Sequence, residues 1–176
     1  AIKDAINEKN ILMVGFNRRY SSLVSNIKKI IQTLKGPKSF IYTCNTGSIN
    51  ADHWIQDPKV GGGRLIGEAC HFLDLLIYLS GSTVKDISLC ESANLNKISD
   101  NFSIQIKFAN GSIGTIHYFS NGSNLFPKER LEVFADGKVV RLDNFLKIKT
   151  WGLSKNEDKR ILKQDKGHFK MVKKFL

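Results

Sequence analysis

The sequence predicts an α+β domain in which helices cover one face of a largely antiparallel sheet. Three observations carry this. Helix-period segments fall in the first half of the chain, at about residues 21–34 and 64–79. Six short strand-period segments, separated by turns, fill residues 84–149. Two of the turns are Asn110-Gly111 and Asp136-Gly137, dipeptides that tight hairpins favour because their central positions take positive φ. Strands that follow helices as a group, rather than alternating with them, read as α+β.

The elements follow in order. "AIKDAINEKN" reads as an amphipathic helix over residues 1–9 and lacks the apolar stretch of a signal peptide. It runs into "ILMVGF", residues 11–16, a short apolar run of the kind buried in a parallel sheet. From Ser21 to Leu34, the residues Leu23, Val24, Ile27, Ile30, Ile31 and Leu34 recur at helical spacing; Ser21 or Ser22 caps the start and Gly36-Pro37 stops the helix. "KSFIYTCNTG" alternates as a strand, and "SINADHWIQDPKVGGG" follows as a polar loop of a length that often carries function. The second helix spans Arg64 to Leu79 and ends at Ser80-Gly81. Strands then lie near Val84–Cys90, Phe102–Phe108, Ile113–Phe119, Arg130–Ala135, Lys138–Leu142 and Leu146–Lys149, together an antiparallel meander. Helical spacing returns at Phe169, Val172 and Phe175 or Leu176.

A chain of 176 residues fits one domain that buries roughly two-thirds to three-quarters of its unfolded surface. No apolar run approaches the ~20 residues of a membrane span, so no membrane partner is expected. Cys44, Cys70 and Cys90 are odd in number and widely spaced, which fits neither a disulfide framework nor a zinc ribbon; a reducing cytoplasm is the simplest setting. The chain starts at Ala1 and ends in "MVKKFL", as a helix cut in mid-course, so a portion of a longer protein is expected. Lys and Arg number 27 against 16 acidic residues, a formal charge of +11. Solvated lysines explain this most simply, and an acidic small molecule such as a nucleotide sugar comes next. Nucleic acid is not expected as a partner, since the basic residues are scattered and no nucleic-acid motif accompanies them.

The stretch "GGGRLIGEACHFLDLLIYLSG", Gly61 to Gly81, holds the most chemistry. A dinucleotide loop needs G-x-G-x-x-G directly after a strand, whereas here the glycines are Gly61, Gly63 and Gly67 and a loop precedes them. A phosphate loop fails because Arg64-Leu65 stands where its Lys belongs. Cys70 and His71 are adjacent on a helix and face different directions, so no metal site is expected. Along the helix, Leu65, Ala69, Phe72, Leu73, Leu76 and Leu79 form the buried stripe, while Arg64, Glu68, His71, Leu75 and Tyr78 fall on another face. Glu68 and Asp74 both lie three residues from His71, which admits two readings: a poised imidazole with a carboxylate fixing its tautomer, or a surface salt-bridge cluster.

Six segments taken together decide between them: "MVGFNRRYS", "DHWIQDP", "GGGRLIGEACHFLDL", "GSIGTIHYFSNG", "LEVFADGKVVRLDNF" and "DKGH". In this order and spacing the chain resembles the glucose-fructose oxidoreductase / inositol dehydrogenase / MocA family, and within it the branch of predicted dehydrogenases of sugar and surface-polysaccharide metabolism.

The resemblance implies an open, mostly antiparallel mixed sheet with helices on one face, the C-terminal domain of a two-domain Rossmann-type dehydrogenase. Residues 1–15 would be the terminal helix and strand of a truncated dinucleotide-binding domain, and residues 16–176 the substrate-binding and oligomerisation domain. NAD or NADP would be bound mainly by the missing N-terminal domain, a sugar or nucleotide sugar would be the substrate, and the open sheet face would make a homo-oligomer. His71 matches the family's catalytic histidine, with Glu68 and Asp74 as its acidic companions. Many members carry Asp four residues before that histidine, where this chain has Gly67, so either Glu68 substitutes or Asp74 orients the ring. Asn17, Arg18, Arg19 and Tyr20 would line the cleft between domains, with Arg64, Lys166 and His168 as further substrate contacts. Trp54 would cover substrate or nicotinamide. A non-catalytic dimerisation or ligand-binding module of the same fold is the alternative.

Overall fold

The computed structural model describes residues 12–50, 52–57, 59–92 and 99–176; the helix expected over residues 1–9 lies outside them. Helix α1 spans Ser22–Gln32 and helix α2 spans Cys70–Ser80. Strand β1 (Ser39–Asn45) lies between them in sequence. The remaining strands are β2 (Val84–Glu91), β3 (Phe102–Phe108), β4 (Ile113–Phe119), β5 (Glu129–Ala135), β6 (Lys138–Asp143), β7 (Lys147–Trp151) and β8 (Lys159–Arg160). A last helix, α3, spans His168–Phe175.

All eight strands form one sheet in the order β2-β3-β4-β1-β5-β6-β7-β8. The α+β class and the open, mostly antiparallel mixed sheet are as the sequence predicts, but the continuous meander is not. β1 inserts between β4 and β5, parallel to the first and antiparallel to the second. Its inward residues Phe40, Tyr42 and Cys44 are among the most buried in the chain, and the central position pairs its backbone polar groups on both edges. The run expected as a strand at residues 11–16 pairs with none of the described strands; residues 12–17 are irregular.

The core lies between the sheet and the two helices. α1 contributes Leu23, Val24, Ile27, Ile30 and Ile31, and α2 contributes Phe72, Leu75, Leu76 and Leu79. Leu75, placed on the second face by helical spacing, is fully buried. The strands answer with period-two alternation, for example Phe102, Ile104, Ile106 and Phe108 inward with Gln105 and Lys107 outward. No described helix covers the opposite sheet face, where Phe134, Val139 and Trp151 lie side by side in register across β5, β6 and β7.

Turn chemistry follows the residues. Asp136 and Gly137 both take positive φ, 51° and 69°. At Asn110-Gly111 only the glycine does, at 83°. The N–H of Gly111 donates to Phe108 and that of Phe108 to Ser112, a longer turn closed by a glycine bulge. The β6–β7 turn places Asn144 and Phe145 at φ 47° and 54°, and the Phe145 ring is buried beneath it.

Gly114, in the middle of β4, has a packing reason. A Cβ there would lie 3.1 Å from the Leu76 methyl of α2, within a ring of Phe108 and Phe40. Gly114→Val is expected to destabilise the chain by roughly 1–3 kcal/mol through overpacking, and Leu76→Ala by roughly 2–5 kcal/mol through a cavity. Urea denaturation of the double variant should then show a loss well below the sum of the two, because each change relieves the other.

Candidate active site

Two segments far apart in sequence are clasped together beside α2. Residues Arg18–Tyr20 form one 3₁₀ turn leading into α1, and "DKGH" leads into α3. The Asn17 amide donates to the Lys166 carbonyl at 2.8 Å, and the Ser22 N–H and hydroxyl donate to Asp165 at 3.0 and 2.7 Å. Gly167 takes φ 87°, and a Cβ there would lie 2.4 Å from the Asn17 carbonyl. Only glycine both adopts this backbone and admits so close a crossing.

The clasp closes over a buried carboxylate. Glu129, at the first position of β5, is 1% exposed. It accepts from Arg18 Nε at 2.9 Å, from Lys166 Nζ at 2.5 Å and from the Tyr42 hydroxyl. Burial pushes the Glu129 carboxyl up, but Arg18 and Lys166 outweigh it and hold it at about 2. Burial draws the Arg18 guanidinium down, but Tyr42 and Glu129 outweigh it and keep it charged. The guanidinium lies 4.6 Å above the Phe72 ring, which also stacks with Tyr42 at 4.6 Å.

His71 sits one residue before Phe72 and is half-buried. Phe16 meets its ring edge-on at 5.6 Å, which sets the imidazole beside the irregular segment, residues 12–17, that leads into the 3₁₀ turn. Its Nδ1 is buried and makes no hydrogen bond among the described residues. Burial and then the Arg18 charge pull the imidazole below its ordinary value, while Asp74, Glu129 and Glu68 pull less strongly the other way. A charged ring would bury an N–H without an acceptor, at a cost of about 1–3 kcal/mol.

Neither expected carboxylate hydrogen-bonds the ring. Asp74 is gripped by the fork of Arg19, with Nε at 2.8 Å, and Arg19 also lies 5.4 Å from the Tyr78 ring. Glu68 accepts from the Tyr118 hydroxyl at 2.9 Å and from Arg64 Nε at 3.3 Å. The reason is local: Leu65–Ala69 is a π turn preceding α2, where the sequence implies plain α-helix. A π turn closes through i→i+5 bonds and holds an extra residue, so the i,i+3 relation of Glu68 to His71 is lost. Gly67 has its own cause, since a Cβ there would lie 2.8 Å from the Ile55 terminal methyl, and Gly61 is crowded by the Ile55 backbone at 2.3 Å. The triple glycine thus packs the loop under the helix start rather than cradling a phosphate.

Other expected ligand contacts are partly consumed by the fold. Arg64 is 3% exposed, donates to the Gly47 carbonyl at 2.8 Å and lies over the Tyr118 ring at 5.3 Å. Tyr20 is half-buried, and its N–H closes the 3₁₀ turn on Asn17. His168 is exposed at the start of α3. Trp54 is 60% exposed on a short 3₁₀ turn capped by the His53 ring, which accepts from the Ile55 N–H at 3.2 Å. Motif and spacing do not single out Glu129, Tyr42 and Tyr118. Each stands in phase with inward-facing apolar neighbours, such as Leu131 and Val133 after Glu129, and a polar residue in a buried phase is the signal they offered.

Among the described residues no three His, Cys, Asp or Glu side chains could jointly hold a metal, and no helix is long and apolar enough to cross a membrane. Nothing described cradles a pyrophosphate.

A model of the GFO/IDH/MocA C-terminal domain matches residues 38–140. No curated protein sequence matches the chain. Among solved structures, a dehydrogenase (MviM) from Clostridium difficile is 25% identical, with TM-score 0.69, over 93% of this chain and 52% of its own. Aldose-aldose oxidoreductase from Caulobacter crescentus, solved with glycerol, is 16% identical, with TM-score 0.74, over 92% of this chain and 51% of its own. Levoglucosan dehydrogenase in complex with NADH and levoglucosan is 21% identical, with TM-score 0.73, over 91% of this chain and 50% of its own. The chain thus spans about half the length of the structures whose fold it shares.

The clasp makes two measurable statements. Because Glu129 is held at about 2 against an ordinary 4.5, its stabilisation is present above pH 4.5 and lost as pH falls through 2. Glu129→Gln should therefore lower stability at pH 7 on the order of 3 kcal/mol, about 6–12 °C in Tm, and flatten the acid limb between those values in a thermal-melt series. Gly167→Ala should destabilise by more than about 2 kcal/mol in urea, since the backbone and the crossing both exclude a side chain.

Proposed function

The chain belongs to the GFO/IDH/MocA family, and from that premise we propose that it forms the substrate-side domain of an NAD(P)-dependent oxidoreductase acting on a sugar or nucleotide-sugar hydroxyl. Residues 16–176 are this domain in the proposal, and residues 1–15 close a dinucleotide-binding domain that precedes it. NAD or NADP, when bound, supplies hydride acceptance; the cofactor bound in the levoglucosan dehydrogenase structure, NADH, motivates that choice. This chain's part is to orient the hydroxyl, exclude water and take the proton at His71 Nε2.

One observation carries the reading: a half-buried imidazole, drawn toward its neutral form, projects from α2 against Phe16 of the irregular segment before the first 3₁₀ turn. A general base must begin unprotonated, and an uncharged ring meets that need. Accepting a proton on Nε2 also requires an N–H at Nδ1, so the reading assigns an acceptor for Nδ1 to the ligand-bound, domain-closed form. Trp54, exposed on its loop, is proposed to cover the ligand. A cytoplasmic setting goes with this chemistry.

The alternative, a non-catalytic module of the same fold, draws on Ile55 filling the space beside Gly67 and on the carboxylates being engaged elsewhere. His71→Asn in the parent enzyme separates the two. We expect sugar oxidation to fall by roughly 10²–10⁴-fold in kcat with the fold intact. Unchanged turnover removes His71 from the mechanism.

The uncovered sheet face is proposed to pair with a second copy. Ile113, Phe119, Phe134 and Trp151 are each more than a third exposed there. Burying such a face against itself is a common solution for a sheet covered on one side. Phe134→Lys, at the β5 end of the apolar ladder, should shift light-scattering mass from dimer or larger toward monomer.

A further inference from the structure

The charges around His71 are unevenly placed. Glu129, on β5, faces two cations, Arg18 and Lys166, so its cluster holds one positive charge in excess. Asp74, on α2, is matched by Arg19, and Glu68, on the π turn, by the Tyr118 hydroxyl and by Arg64, which also lies 4.0 Å from Asp100. Arg18 is the member of the excess pair that lies against α2, its guanidinium over Phe72, the residue next to His71. It is also fixed: Glu129 holds Nε, the ring holds its face, and the side chain is 12% exposed. Two residues upstream, Phe16 lies against the imidazole itself.

We infer that Arg18 is a positioning residue for His71: Glu129 pins its guanidinium beside α2 as a permanent positive charge that opposes a second charge on the imidazole. The sequence offers Arg18 as a substrate contact, but the fold spends its Nε on a buried carboxylate and its face on an aromatic ring. The arrangement resists protonation of the ring before a ligand arrives and hastens the return of the proton afterwards. This use of the charge rests on the reading of His71 as a proton acceptor, whereas the placement of the charge does not. The lowered basicity of the imidazole, for which burial and then Arg18 are the causes, agrees with it.

The test reads the ring rather than turnover, so it fails separately from the catalytic reading. The four histidines of the chain, His53, His71, His117 and His168, are followed by NMR titration, with His71 assigned from its absence in His71→Asn. Arg18→Met should raise the His71 midpoint by about half a pH unit or more, since a neighbouring cation is removed. Arg18→Lys, which keeps the charge, should leave it nearer the wild-type value. His117, on the far sheet face and hydrogen-bonded to Ser103 at 2.8 Å, should not move in either variant and reports that the fold is intact. A His71 midpoint unchanged in Arg18→Met, with His117 also unchanged, overturns the proposal. So does an equal upward shift in Arg18→Lys, which would make loss of packing rather than of charge the cause. If Arg18→Met does not fold, Arg18→Lys is compared with Arg18→Gln, which keeps a polar planar group without charge, and the same rise is expected in Arg18→Gln alone.

Discussion

The carboxylate of Glu129 is the constraint from which the site is built. An ionised group that is 1% exposed is tolerable only when charged donors surround it, and its donors come from three distant parts of the chain. Arg18 arrives from the segment before α1, Tyr42 from the central strand and Lys166 from the turn before α3. A buried carboxylate with three such donors fixes their relative positions more sharply than apolar contact would, because a hydrogen bond has direction and an orphaned charge is costly. The crossing of "NRRYS" over "DKGH", with Gly167 admitting it, follows from the need to bring Arg18 and Lys166 to one point.

The π turn is the second constraint, and it acts on the chemistry of the helix. It lets Gly67 face Ile55 and turns Glu68 toward Tyr118 and Arg64, and with Asp74 gripped by Arg19 the imidazole is left with no carboxylate hydrogen bond among the described residues. The ring's electrical environment is then set at longer range, by burial and by Arg18. A histidine tuned this way differs from one coupled to an acid: its basicity depends on how firmly a separate segment is held, and so on Glu129.

The sequence makes much of this fold legible and part of the site. Strands β3 and β4 are predicted to the residue because strict alternation, as in Phe102 to Phe108, leaves one register that buries the apolar set. The place of β1 between β4 and β5 is not legible, since period-two patterning tells which face a residue occupies and nothing about which strand lies beside it. His71 is legible from its motif, but its neighbours are not. An i,i+3 rule presumes α geometry, and no single residue in "RLIGEAC" announces the extra residue of a π turn. Glu129 is legible only as a charge in phase with Leu131 and Val133, because strand periodicity marks a buried face by its apolar members and says nothing of what a polar member of that face binds.

The positive charge of the chain, +11 overall, has a bearing on what the site can bind. Arg18, Arg19 and Arg64 are the residues a sequence reading would first give to a phosphate or carboxylate ligand, and Lys166 would follow. In the fold each already faces a carboxylate of its own: Glu129 for Arg18 and Lys166, Asp74 for Arg19, Glu68 for Arg64. An anionic ligand that drew Arg19 away would leave the buried Asp74 unpaired at a cost of several kcal/mol, whereas Glu129, which faces two cations, would keep one if the other were drawn away. A neutral hydroxyl presented to His71 makes no such demand. Within the proposed function, the pairing of Arg19 with Asp74 therefore weighs against Arg19 as the group that holds an anionic ligand.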